Sequence, residues 1–235
     1  MIATPKVTLI ASTTFAPGHE NQVAGRMGVE PGVGDMDSLV EFAGRSCYES
    51  FHRPNAKTAT NAGYMANILQ QGHGSVLEHA SATFYITGVS RAFSHEIVRH
   101  RHLNFSQISQ RFVDESEANI VVPPAIRDND GAVMILEEVM DDVAPAYQDL
   151  ATYLVDKGLP RKQAREAARA VLPNMTEVRM VITGNLRAWR DVLTRRLAPG
   201  ADAEMREVAN LICTELEAIA PHSMQGVRET AAADN

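Results

Sequence analysis

Apolar residues return every three or four positions along most of this chain and every second position along a few shorter runs, so helices should dominate over strands. Val133, Leu136, Met140, Val143, Tyr147, Leu150 and Leu154 mark a long helix from about Ala132 to Lys157, which Pro145 kinks or splits. Gly158 ends it, and Pro160 opens the next helix, which stops before Pro173 and carries Arg161, Arg165 and Arg169 as a basic stripe. Met205, Val208, Ile212, Leu216 and Ile219 define a last helix over Asp202 to Ile219, and beyond Pro221 a small polar tail, 222–235, should fray.

The alternating or β-rich runs are Val7 to Ala11, His79 to Thr87 with Gly88 as its end, a short extended piece at Val121 to Pro124, and Glu177 to Thr183. Ser38 with Glu41 has the spacing of a capping box for a short helix fading near Tyr48, and another helix runs from about Thr60 to Gln71 with Gly72 as its stop. Ser90 can cap a helix over Arg91 to about Arg101, and Gly184-Asn185 opens one carrying Arg187, Trp189, Arg190 and Arg196. Pro17 to Gly34 reads as a surface loop. GVGDMD at its end lacks the third glycine of a dinucleotide fingerprint and has no strand directly before it. Long helices with a few separated strands imply an α/β or α+β domain, and with no linker or repeat in sight the whole of 1–235 reads as one domain.

Arg99 to Arg111, RHRHLNFSQISQR, breaks these patterns. Arg99, His100 and Arg101 cannot all enter one core, because neighbours on a helix diverge by roughly a quarter turn or more. Gln107, Ser109, Gln110 and Arg111 add amide, hydroxyl and guanidinium donors, with Phe105 and Ile108 as anchors. Dense donors on a short anchored segment suggest an anion site.

Composition narrows the ligand. The 235 residues are 45% hydrophobic, enough for a substantial core, and carry a net charge of −7, yet most of the 22 Lys and Arg residues fall between Arg91 and Arg196. An acidic protein with cations gathered this way suits a small anionic ligand better than a nucleic-acid backbone. There is no run of 18 apolar residues and no basic N-terminal segment before a cleavable apolar stretch, so a soluble cytoplasmic chain with no membrane contact is expected. Cys47 and Cys213 match no metal spacing and read as reduced structural thiols.

Five histidines lie between His73 and His102. His95 and His100 are five apart, about 140° around a helix rather than on one face, and flanking arginines would repel a cation, which disfavours a metal. Ser106 and Ser109 lie near His100 and His102, but no nucleophile elbow and no paired acid accompanies them, so they read as hydrogen-bonding serines. What remains is recognition of an anion and a heterocycle: permanently charged planar guanidiniums for phosphoryl oxygens, and Gln107 and Gln110 to donate and accept at a pyrimidine edge.

The spacing RHR, seven residues, Ser, any residue, Arg resembles the signature of the flavin-dependent thymidylate synthases (ThyX). Residues 40–73, 75–99, 161–174 and 184–196 are similar to the actinobacterial branch of that family. The resemblance implies a single domain with a mixed sheet flanked by long helices. It implies reductive methylation of dUMP to dTMP, with methylenetetrahydrofolate as carbon donor and NADPH-reduced FAD as hydride donor. Implied FAD contacts are Ser75, Arg99, His100, Arg101, Gln107, Asn185, Leu186, Arg187 and Asp191. Implied dUMP contacts are Arg91, Glu96, Ile97, Val98, Arg99, Gln107, Ile108, Ser109, Gln110, Arg111 and Arg169. Arg196 is implied as the catalytic residue beside the pyrimidine, where a fixed cation stabilises negative charge developing on the ring. A homotetramer with sites shared between subunits is implied as well. Three positions depart from the family: Asp191 where relatives often have His or Asn, Gly200 where many have His, and Phe112 in place of a frequent Tyr. A non-catalytic nucleotide- or RNA-binding protein using the same arginines is the alternative.

Overall fold

The computed structural model describes residues 1–14, 30, 32–52 and 55–233. Most of the loop expected over Pro17 to Gly34 lies outside the described residues.

Two long strands form the centre. β1 (Ile2–Ala3) is a stub, and β2 (Lys6–Ser12) leads into the main sheet at one edge. After α1 (Asp35–Ser46), α2 (Asn61–Gln70) and a 3-10 turn over Gly74–His79, β3 (Ser81–Ser90) pairs antiparallel with β2. The short helix α3 (Arg91–Ile97) follows, then β4 (Asn104–Gln107) and the stub β5 (Ile120–Val121), which lies parallel to β1. The long α4 (Asp130–Asp156) and short α5 (Arg161–Ala168) precede β6 (Glu177–Asn185). The four-stranded sheet has the order β2-β3-β6-β4, all antiparallel, while β1-β5 is a separate parallel pair, which gives the mixed α/β architecture expected. The chain closes with α6 (Leu186–Arg196), α7 (Ala203–Ile219), α8 (Pro221–Met224) and α9 (Val227–Ala233).

The core lies where the helices cover this sheet. Phe84, Ile86, Met180 and Ile182 of the central strands are buried with Trp189 and Leu193 of α6 and Ile212 and Leu216 of α7. Phe84 meets Trp189 edge-on with ring centroids 5.3 Å apart, and the indole Nε1 donates to the Ala82 carbonyl.

Several expected boundaries move. β3 does not stop before Gly88 but runs through it with a register shift between Ile86 and Val89; Gly88 has φ +68°, and a Cβ there would collide with the Thr4 carbonyl, so only glycine fits. The expected capping box fails because α1 begins at Asp35, placing Ser38 inside the helix. Glu41 instead accepts from Arg45 Nε (2.7 Å) and Asn61 Nδ2 (2.7 Å). Pro145 neither splits α4 nor ends it. Of the tail expected to fray, 222–235, the described residues 222–233 are largely helical, with Val227 and Ala231 buried. Thr60, Ser90, Asn185 and Asp202 cap their helices through the side chain, and Gly158, at φ +92°, follows α4. No helix among the described residues is long and apolar enough to cross a membrane.

Candidate active site

The site is built on two junctions where a strand becomes a helix. At the end of β3, Ser90 Oγ accepts from the Phe93 amide and donates to the buried carboxylate of Glu204 on α7 (2.6 Å), which also accepts from the Ser90 amide (2.7 Å). At the end of β6, Asn185 Oδ1 accepts from the Ala188 amide (2.8 Å) while the Leu186 amide donates to the Ala80 carbonyl. Both helix starts are thereby fixed to the central strands.

α3 is shorter than the sequence suggests. It stops at Ile97, and tighter backbone bonds then turn the chain: Arg99 N to Glu96 O, His100 N to Ile97 O and Leu103 N to His100 O. Leu103 is drawn into the core, and the next residues pair with β6 as β4, Asn104 opposite Thr183 and Gln107 opposite Met180. The RHR run therefore occupies a compact turn between a helix and a strand, not the last turn of a helix followed by a loop.

This turn faces α6 across a cleft of about 660 Å³ lined by Glu78, Arg99, His100, Arg101, His102, Asn185, Arg187, Ala188, Asp191, Val192 and Arg195. Arg187, Asp191 and Arg195 are spaced by four and share one face of α6. Of the residues expected to contact a flavin, six meet here: Arg99, His100, Arg101, Asn185, Arg187 and Asp191. Ser75 lines an adjoining cleft of about 340 Å³ that shares Arg187 with the first. Leu186 is fully buried, so its side chain belongs to the core. Glu78, His102, Ala188, Val192 and Arg195 were not anticipated. Glu78 accepts from Arg187 across 109 positions of sequence, which no local pattern reveals, whereas the Asp191–Arg195 pair (2.7 Å) was legible as an i, i+4 spacing.

At the inner side of this region, Arg196 Nε donates to His100 Nε2 (2.8 Å) and Arg196 Nη2 lies 3.3 Å from Glu96 Oε2. Burial, and after it the Arg196 guanidinium, holds the His100 pKa below its ordinary value. Because arginine can only donate, His100 Nε2 is the acceptor and the neutral ring carries its hydrogen on Nδ1.

The remaining expected nucleotide contacts do not line this cleft. Gln107 Nε2 donates to Ser94 Oγ (3.3 Å), whose hydroxyl donates to the Arg91 carbonyl, and the Ile108 amide donates to the Arg179 carbonyl. Gln110 is buried, Ile97 is buried in the core, and Val98 is 40% exposed. The backbone of Ser109 closes the turn to Phe112 and Val113. Arg111 Nε lies 2.6 Å from Glu166 Oε2, without hydrogen-bond alignment. Arg169 starts a 3-10 turn after α5, and Arg165 of the expected stripe is committed to Asp114 and the Phe112 carbonyl. Lys162 sits over the Phe112 ring at 4.7 Å.

Four guanidiniums and two histidines against two carboxylates make the main cleft a site for a polyanion. The planar forks can hold phosphoryl oxygens in set directions, and Asn185 and His100 offer polar atoms to a heterocycle. That donor set fits a dinucleotide cofactor such as FAD.

A family model described as thymidylate synthase complementing protein matches residues 33–222. A probable flavin-dependent thymidylate synthase of Mycobacterium phage L5 is 48% identical over 94% of this chain and 97% of its own length. A flavin-dependent thymidylate synthase of Mycobacterium bovis is 46% identical over 97% of this chain and 92% of its own. Among solved structures, a UMP/dUMP methylase PolB from Streptomyces cacaoi bound with 5-Br dUMP superposes with TM-score 0.73 at 22% identity, over 98% of this chain and 96% of that one, a likeness of fold.

Proposed function

Since this chain belongs to the flavin-dependent thymidylate synthase family, we propose that it is a cytoplasmic, FAD-dependent enzyme that methylates dUMP to dTMP with methylenetetrahydrofolate and NADPH. The observation that carries the residue assignments is the meeting of the RHR turn with the Arg187–Asp191–Arg195 face of α6 around one cationic cleft.

In this reading FAD, reduced by NADPH, supplies the hydride for the reductive methylation. The protein binds, orients and polarises. Arg99, Arg101 and Arg187 hold the cofactor phosphates, Asn185 offers its side-chain amide, and Ser75 contributes from the adjoining cleft. Asp191, paired with Arg195, tempers the positive field at the rim. Arg196, anchored by its stem in the apolar surroundings of Phe93, Ile97, Val192 and Leu193, presents a fixed positive charge to the pyrimidine and stabilises the charge that develops as N3 loses its proton. Arg91, Gln107, Ser109, Gln110, Arg111 and Arg169 bind the nucleotide.

Because those nucleotide ligands stand outside the cleft of a single chain, we assign them to sites completed between subunits of a homotetramer. α4 supports the assembly: it buries only Met140 and Tyr147 and leaves Met134, Ile135, Val139, Tyr153 and Val155 exposed, a face suited to a second copy of this chain.

The test is the visible spectrum of the purified protein before and after NADPH and dUMP are added without oxygen. A flavin spectrum that bleaches is expected, followed by dTMP formation when methylenetetrahydrofolate is supplied. A colourless protein that also fails to take up added FAD would overturn the reading and turn the arginines into a nucleotide- or RNA-binding surface.

A further inference from the structure

Arg196 is gripped along one edge. Its Nε–H points at His100 Nε2 (2.8 Å), and Nη2, on the same side of the guanidinium, lies 3.3 Å from Glu96 Oε2. Glu96 stands on α3, His100 in the turn after it and Arg196 on α6, so the contact crosses two elements. The end edge of the fork, Nη1 with the outer hydrogen of Nη2, has no partner among the described residues. The Arg196 side chain is 20% exposed, which leaves that edge accessible to a small planar ligand.

We propose that Glu96 and His100 are positioning residues that aim Arg196, fixing its side edge so that its end edge is presented to the pyrimidine of dUMP. The proposal rests on the reading of the site given above and gives both residues a task other than direct ligand contact. A guanidinium is the required cation, because an ammonium has no second edge to grip. For His100 to accept, its Nε2 has to be unprotonated. A protonated His100 would turn Nε2–H toward Nε–H, donor against donor, and release the arginine. The groups bearing on His100 are Arg196, Asp191 and Arg195 from α6 and Glu96 from α3, while Arg99, Arg101 and His102 line the same cleft from its own turn. Burial and the adjacent guanidinium favour the neutral ring.

Two readouts on the full-length FAD-loaded protein test this. The first is a 15N titration of the His100 ring. A neutral Nδ1–H ring at pH 7 is expected, with a midpoint that rises in Arg196→Leu; a midpoint that does not move would refute the contact. The second is turnover at saturating FAD. His100→Gln places a non-titrating acceptor at similar reach, so it should lose less kcat than His100→Leu and lose the acid limb of the pH profile. His100→Leu should fall roughly ten- to hundred-fold. Equal losses in the two variants would overturn the positioning role. A parent protein that forms no dTMP refutes the enzyme reading instead, and the ring titration then still decides whether His100 holds Arg196.

Discussion

Arg190 donates from one nitrogen, Nη1, to two carbonyls of the C-terminal chain two residues apart, those of Ser223 (2.6 Å) and Gln225 (2.9 Å). It lies on α6, the helix that carries the cleft face, and so ties residues 221–233 to the proposed site. Burial of the guanidinium pulls its pKa below the usual arginine value, a desolvation cost that the two carbonyls partly offset by accepting from it.

Arg190→Met keeps the apolar stem and leaves both carbonyls without that donor. The expected cost is about 2 kcal/mol of unfolding free energy, with a weaker FAD affinity because α6 loses its outer brace. Urea denaturation and FAD titration read the two effects. An unchanged flavin affinity alongside lost stability would limit Arg190 to a structural task.

Arg196→Ala should lower kcat roughly 100- to 1000-fold with FAD binding and the denaturation midpoint nearly intact. Rapid-quench assay of dTMP checks it, and wild-type turnover would remove the proposed activation of the pyrimidine.

Glu115 is 4% exposed, its Oε1 has no hydrogen-bond partner, and burial lifts its pKa to about 7 against the influence of Arg179. A carboxyl whose pKa is raised on folding binds its proton more tightly in the native state, so stability falls as pH rises from about 4.5 toward 7. Glu115→Gln should match the parent at pH 5 and exceed it at pH 8 by on the order of 1–3 kcal/mol. Unfolding curves that stay parallel across that window would show that the group is not strained by ionisation.

Gly184 sits at the root of the β6–α6 junction, where a Cβ would collide with the Leu103 side chain and approach Trp189 Nε1 to 3.1 Å. Gly184→Ala should cost roughly 1–3 kcal/mol and disturb the indole bond to Ala82. Trp189 is the single tryptophan of the chain, so its emission reports the change directly. An unshifted spectrum would mean Leu103 yields without strain.

Much of the frame was legible because its causes are local. Thr60, Ser90, Asn185 and Asp202 cap helices where the pattern placed them, and the apolar stripe of α7 runs to Ile219 as its periodicity requires. What escaped depends on distant partners. α3 ends early because Leu103 is needed against Gly184 and because β4 pairs with β6, some eighty residues on. The tail is ordered by Arg190 and by the grip of Arg228 on Glu217, Asn210 and Thr214. The cleft was half visible: the RHR turn and the α6 residues stand out singly, whereas the pairing of Glu78 with Arg187 needs the fold to bring them together.

Asn185 is both the last residue of β6 and the cap of α6. The cleft's polar wall is thus a continuation of a strand bonded on both sides, to β3 and to β4. Opening that wall would require breaking the central ladder between β3 and β6, so its amides should exchange with solvent only through global unfolding. The proposed flavin pocket then exists before the flavin arrives, and binding there selects by shape rather than by folding around its guest.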